Sequence, residues 1–415
     1  MHDGSTATCK RWLKQMELPT YNEALDNALE IVTPIVDCEN VEMNDAVDRV
    51  LAKPIIADRN LPPYNRSQMD GYAVVASEIR QGVTMEVTSR IAAGSDISVE
   101  RKQHTCVAIA TGASVPSQFD AVVQHELTDR GDLAGGNVTF HVDGIHAGKA
   151  IHKCGADAEV GNVVVESGTK LKPQHIGIAA TVGEVVLPVV RKPKVIVLTS
   201  GDEVVSPTQN PARHQIRNGN GPMITSLFAS FGCEILKHQH IKDDAAQTAS
   251  EVSVALQDCD LLITVGGISA GERDFFPSAF EKSNVSFVVH GASIQPGKPV
   301  MVGSQNDTIV LGLPGNPVSA LACAHVFGLP IVSTMLGTDA ALQWAELPLS
   351  HSVIPNKHRT AFRPCTIVDG KIVIPSWQGS GDLSHTAKTT GLVKLPVVDA
   401  EISAGTFVPF LRFFN

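Results

Sequence analysis

From residue 191 onward the pattern of apolar and polar positions settles into a regular alternation. KVIVLTSGDE, EILKHQHI, CDLLITVGGIS, VSFVVHG, PVMVGS and TIVLGL are short runs, several of them apolar at nearly every position, and they read as strands. Between them, GPMITSLFASFGC, DDAAQTASEVSVALQ, DFFPSAFEKS and VSALACAHVFGLPIVSTMLG read as helices. Gly232 stops the first helix and aspartates cap the second. Strands apolar on both faces that alternate with helices predict a doubly wound, mostly parallel α/β domain over 191–337.

The earlier pattern is less regular. Residues 20–52 read as a helix, a short loop and a second helix. TYNEALDNALEIV opens with Thr20 and Glu23 in capping-box spacing, and NDAVDRVLAK repeats the helical spacing more briefly. Over 53–150, runs such as TMEVTSRIA, HTCVAIATG, DAVVQHEL and GNVTFHV predict a β-rich domain. Residues 151–190 read as strand, loop, helix and strand. Together with 20–52 they are expected to form one elongated, discontinuous linker domain. Short strands return after 337, in RPCTIVDGKIVIPS and GLVKLPVV, so 338–415 is expected to be a small β domain.

Composition narrows the function classes. The chain has 415 residues, 43% hydrophobic and 18% charged, enough for several globular domains. Its net charge is −10 and aromatics make up only 5%, which argues against nucleic-acid or membrane-surface binding and leaves anion recognition to a local pocket. The eight cysteines have no C-x-x-C pair and read as reduced structural thiols. The fifteen histidines show no H-E-x-x-H cluster, so no zinc site is expected. Neither a signal peptide nor a membrane-spanning run of apolar residues is legible, so the expected location is cytoplasmic.

The candidate chemistry lies at strand ends, where a doubly wound sheet binds ligands. Three such ends carry unusual turns: TSGDEVV at 199–205, TVGGISAGERDF at 264–275 and GLPGNPVSA at 312–320. Gly266, Gly267 and Gly271 would let backbone approach a ligand, and the rigid GLPGNP turn would hold an anion at a helix N-terminus. A tight turn chosen for packing accounts for any one of these, but three on one sheet edge point to a site. Asp202, Glu203, Asp243, Asp244, Glu272 and Asp274 supply carboxylates suited to a Mg²⁺ that keeps several waters, although Asp243 and Asp244 also suit helix capping. Lys298 sits in a Pro-Gly-Lys-Pro turn that fixes its backbone for anion contact. Arg359, Arg363, Ser380 and Ser384 could form an oxyanion pocket or be solvated. LPPYNRSQMDGYAV at 61–74 is either a hairpin connection or half of a ligand site.

The order PPYNRSQMDGYAV, IATGASVP, GDEVV, GGISAGERDF, PGKP, GLPGNPVSA and QGSGDLS resembles molybdopterin molybdenumtransferases of the MoeA type, and is similar to the E domain of gephyrin. The resemblance covers about residues 20–410. It implies a four-domain homodimer that takes adenylylated molybdopterin and molybdate with Mg²⁺, releases AMP and leaves molybdenum on the dithiolene. The upstream molybdopterin adenylyltransferase is a possible partner under this resemblance. It further implies catalytic roles for Asp70, Thr111, Glu203, Asp243, Asp274 and Lys298, with Glu203 and Asp274 on the cation. For the pterin and molybdate it implies Gly266, Gly267, Ser269, Gly312, Pro314, Gly315, Asn316, Pro299 and Ser319, with Arg359 or Arg363 and Ser380 or Ser384. In family dimers Asp70 and Thr111 would reach across the interface. The chain departs from the pattern at Ser200 (Thr expected), Asn218 (a carboxylate), Gln295 (a lysine), Ala156 (Glu) and the unusual 66–68 stretch. A non-catalytic pterin-binding scaffold, or the upstream adenylyltransferase reaction, are the alternatives to a transferase.

Overall fold

A computed structural model describes residues 18–95, 98–130, 135–268, 274–376 and 378–413. The chain forms two compact units, one from the segments up to Glu39, Asp48–Val50 and Val189 onward, the other from Asn40–Val47 and Leu51–Pro188.

The first unit is built on a six-stranded sheet. Its order is Glu234–Ile241, Lys194–Ser200, Leu261–Val265, Thr308–Leu313, Met301–Gln305, Ser286–His290. The first four strands run parallel, and the last two add antiparallel ladders at one edge. Both faces are buried because side chains alternate along each strand. Val195, Val197, Ile263 and Leu311 face one core with Ile224, Leu227 and Phe228 of the helix Asn220–Ser230. Ile196, Leu198, Leu262 and Val310 face the other, against Val252 and Leu256 of Ala245–Asp258 and Phe276 and Phe280 of Phe276–Lys282. The sheet is therefore doubly wound, as the alternation predicts. Lys194–Ser200 lies between the strand that follows it and the next one, so the order reverses there and a crevice opens at the strand carboxyl ends.

One helix keeps its expected place and one expected helix does not form. The expected helix over 317–335 is apolar, with mean hydropathy 1.7 over its most apolar 18 residues, and 78% of that window is buried in this core. No second helix forms in NDAVDRVLAK: Met43–Asp45 is a single 3-10 turn and Asp48 adopts φ 66, which ends any helix. The chain instead runs extended, with Leu51 N–H donating to the Thr169 carbonyl and Ala52 N–H to that of Pro188. The first helix, Tyr21–Glu30, has both arms of the Thr20–Glu23 capping box. It buries Tyr21, Ala24 and Ala28 in the α/β core, and so groups with that unit rather than with 151–188.

A second sheet in the same unit joins Ile294–Gln295, Thr360–Val368, Gly391–Leu395, Phe407–Arg412 and Ala345–Pro348. Its parallel pairing of Ile294 with Thr360 ties the lysine-bearing turn to the segment that carries Arg359.

The second unit holds a five-stranded sheet in the order Ala121–Gln124, Gly71–Val74, Thr105–Ile109, Thr84–Ile91, Asn137–Thr139. Beside it are a small ladder pairing Ile56 with Val163 and the helix Pro173–Thr181.

Candidate active site

The crevice at the strand ends of the first unit is a cavity of about 1080 Å³. Three loops and the lysine turn enclose it. The Lys194–Ser200 strand delivers Ser200, Gly201 and Glu203; the Leu261–Val265 strand delivers Gly266 and Gly267. The Thr308–Leu313 strand delivers Pro314, Gly315 and Asn316, with Ser319 on the helix that follows. Glycine is required at Gly267, where these backbones pack closely. A Cβ on Gly267, at φ 61, would lie 2.6 Å from Ser200 Oγ, and one on Gly315 would lie 3.4 Å from Gly266 Cα.

The GLPGNP turn differs from a bare cradle of N–H groups. Pro317 has no N–H, and the Val318 N–H donates to the Ser380 carbonyl at 3.1 Å. Asn316 Nδ2 donates to Ser380 Oγ at 2.9 Å, so the 379–381 loop is clamped over the helix start. Asn220 Nδ2 donates to the Gly315 carbonyl at 2.7 Å, which fixes the turn from the other side.

Lys298 enters from a backbone pinned on every side. The Gly297 carbonyl accepts from Val300 N–H and the Lys298 carbonyl from Ala292 N–H, both at 3.0 Å. Gly297 has φ 108, and a Cβ there would stand 2.2 Å from the buried Cys323 Sγ. Arg359 is aimed by Asn356, whose Oδ1 accepts from the His358 and Arg359 N–H groups and whose Nδ2 donates to Gln295 Oε1. Asp243 and Asp202 exchange hydrogen bonds through their backbone N–H groups and carboxylates, at 3.1 and 3.3 Å. Asp243 thereby braces the Gly201–Glu203 turn while lining the cavity.

The cavity thus gathers Glu203, Asp243, Asp274, Lys298, Pro299 and Arg359, together with Gly266, Gly267, Pro314, Gly315, Asn316, Ser319 and Ser380. Arg363 and Ser384 are not among its lining residues. Arg363 donates to the Ile354 carbonyl at 2.9 Å, with burial lowering its pKa, and Ser384 donates to Asp382 at 2.7 Å. Gly312 lies inside its strand, where a Cβ would press on Met301 and Ile268, so its role there is packing. Ser269, Gly271 and Glu272 lie outside the described residues. Arg217, Asn220 and Asn356 escaped the sequence reading. Arg217 lines the cavity with its guanidinium held by the Gln209 carbonyl and Asn210 Oδ1. A cation beside the noted RNGN departure was the available signal.

In the second unit, Asp70 and Thr111 come together. Thr111 N–H donates to Asp70 Oδ1 at 2.7 Å, and that bond holds the carboxyl below its ordinary range. Gly71 must be glycine, since a Cβ would meet the Val123 carbonyl at 2.0 Å.

Among known families, residues 19–183 match the MoeA N-terminal region, domains I and II. Residues 196–334 match a probable molybdopterin binding domain, and 346–413 match the MoeA C-terminal region, domain IV. A molybdopterin molybdenumtransferase of Haemophilus influenzae is 32% identical over 406 residues, covering 95% of this chain and 98% of the relative. The chain belongs to the MoeA family. A Synechocystis relative of the same description is 30% identical, covering 89% of this chain and 94% of its own length. A crystal structure of the molybdopterin biosynthesis MoeA protein of Pyrococcus horikoshii superposes with a TM-score of 0.79 at 26% identity, over 96% of this chain and all of that one. The MoeA fold thus accounts for the α/β unit, the cavity at its strand ends and the C-terminal sheet.

Proposed function

We propose that the chain is a transferase of molybdenum cofactor biosynthesis. It takes adenylylated molybdopterin and molybdate, breaks the adenylyl phosphoanhydride, releases AMP and leaves molybdenum on the dithiolene. The observation that carries this reading is one cavity lined by three carboxylates, Glu203, Asp243 and Asp274, and three cations, Arg217, Lys298 and Arg359. Two anions can meet there only if cations neutralise them and a metal offsets the remaining charge. Lys298, Arg359 and Ser380 bind and orient the oxyanion in this proposal. The clamped Gly315–Asn316 turn and the close-packed Gly266–Gly267 backbone hold the pterin phosphate.

The residues fit a Mg²⁺ of a particular kind. Among the described residues no group of three or more His, Cys, Asp or Glu side chains could hold a metal alone. Two carboxylates on the cavity wall, Glu203 and Asp274, suit an ion that completes its shell with waters and phosphate oxygens. When bound, such an ion would offset phosphate charge. Asp70 and Thr111 keep the roles the resemblance gives them, and the division into a β-rich domain over 53–150, an α/β domain over 191–337 and a C-terminal β domain over 338–415 is kept, with the first helix assigned to the α/β unit. The proposal includes a cytoplasmic homodimer. A partner would cover the apolar strip of Ile56, Val160 and Val163, which are 47%, 61% and 45% exposed.

The test is incubation with adenylylated molybdopterin, Mg²⁺ and molybdate. Molybdate-dependent AMP release is expected. Tight pterin binding without AMP would mark a scaffold, and ATP-dependent adenylylation of free molybdopterin would mark the upstream reaction; either result overturns the proposal.

A further inference from the structure

Along the cavity wall, through Thr199 and Asn218, runs a chain of hydrogen bonds that ends on a backbone group at each side. The Gly221 N–H can only donate, and it donates to Asn218 Oδ1 at 2.9 Å. That fixes the amide, so Asn218 Nδ2 donates to Thr199 Oγ1, also at 2.9 Å. At the far end the Gly201 carbonyl can only accept, and His240 Nε2 lies 3.1 Å from it. In the neutral imidazole Nε2 then carries the hydrogen, and the Thr199 hydroxyl donates to the bare Nδ1 at 3.0 Å. Both Thr199 and Asn218 are buried, at 3% and 5% exposure, where such bonds are costly to lose.

The far end of the chain touches the candidate site. The Gly201 carbonyl also accepts from Val204 N–H at 3.1 Å, closing the turn that carries Glu203. An ideal Cβ on Gly201 would lie 3.0 and 3.1 Å from the two Glu203 carboxylate oxygens, so that carboxylate lies against Gly201 itself. Where Gly201 sits decides where the Glu203 carboxylate sits.

We infer that Asn218, Thr199 and His240 are positioning residues: a one-directional hydrogen-bond chain holds the Gly201 carbonyl and thereby aims Glu203 into the cavity. This rests on the transferase reading for its catalytic consequence, but the chain itself is a separate structural claim. An aspartate at 218 would have no hydrogen to give Thr199. The hydroxyl would then turn to the carboxylate and leave His240 Nδ1 without its donor. Asn218 thus does here what a carboxylate could not.

The test uses the full chain with ¹⁵N-labelled histidine, assigned through His240→Gln, alongside kinetics of molybdate-dependent AMP release. The wild-type His240 resonances should be those of the Nε2–H tautomer, and Asn218→Asp should shift them. Thr199→Val, which keeps the shape and loses the hydroxyl, should lower kcat about tenfold with KM for the adenylylated pterin within about twofold, and Thr199→Ser should restore kcat. An Nδ1–H tautomer in the wild type overturns the inference. So does a Thr199→Val enzyme with unchanged kcat, or a Thr199→Ser enzyme as slow as the valine variant. If the wild type releases no AMP at all, the transferase reading fails, and the tautomer in wild type and Asn218→Asp decides the chain alone.

Discussion

Replacing Lys298 by alanine separates binding from folding. The backbone around Lys298 is held by its own hydrogen bonds, and Val300 beside it is fully buried. The side chain is exposed on the cavity wall. Truncation therefore leaves the Gly297 turn and its contact with Cys323 intact. What is lost is a charge-assisted contact to a bound oxyanion, about 2 kcal/mol, or roughly a 30-fold rise in Kd. Thermal stability should move by about 2 °C or less, as for a surface substitution that opens no cavity. Calorimetric titration of molybdate into the chain with AMP and Mg²⁺ reads the first number, and a melting curve reads the second. Raising the salt should shrink the difference between wild type and variant, since an exposed charge is screened. Equal molybdate affinity in the variant would refute the placement of the anion at Lys298. A fall of about 6 °C in melting temperature would show instead that the side chain supports the fold.

Two further outcomes follow from the geometry. Gly267→Ala places a Cβ 2.6 Å from Ser200 Oγ and 3.0 Å from Phe276 at φ 61, so it should cost about 1–3 kcal/mol and weaken pterin binding; a variant equal to the wild type in melting and binding would show that the two loops are not packed this way. His325, 1% exposed between the rings of Phe231 and Phe413, has its pKa pushed by burial from 6.5 to about 4. Above pH 6.5 neither state is protonated there; between 6.5 and about 4 only the unfolded chain takes up the proton, so stability falls with acidification by up to about 3 kcal/mol. Denaturant midpoints measured across that window should fall more steeply for the wild type than for His325→Leu, and parallel slopes would count against it.

What the sequence revealed depended on how local the determining contacts are. The strands of the α/β sheet were legible because burial on both faces makes each an apolar run, and glycines mark their ends. The capping box at Thr20 and the cap at Asp244, which accepts from Gln247 N–H, lie within three residues of their partners. By contrast, the stretch after Asp45 lost its expected helix to partners more than a hundred residues away, Thr169 and Pro188. Arg359 and Arg363 were equivalent by composition. The Asn356 turn, which caps the Arg359 N–H, aims one at the cavity, while Arg363 bonds to Ile354. The hydrogen-bond chain was illegible for the same reason: Asn218, Thr199 and His240 come from three elements, and no spacing links them.

The departures at Asn218 and Gln295 take on a different meaning once both line one cavity. Taken singly, each removes a charge that the resemblance leads one to expect, one negative and one positive. Taken together they leave the cavity's formal balance unchanged, with three acids and three bases on its wall. Neither amide is a vacancy. Asn218 both accepts from Gly221 and donates to Thr199, which an ionised carboxylate cannot do, at a site 5% exposed. Gln295 accepts from Asn356 and so braces the turn that aims Arg359. A buried ion pair must recover the desolvation of both charges through its own geometry, whereas satisfied amides carry no such cost. The exchange replaces charge by fixed hydrogen bonds on the cavity wall. It leaves Glu203, Asp243, Asp274, Arg217, Lys298 and Arg359 as the charged groups on the cavity wall.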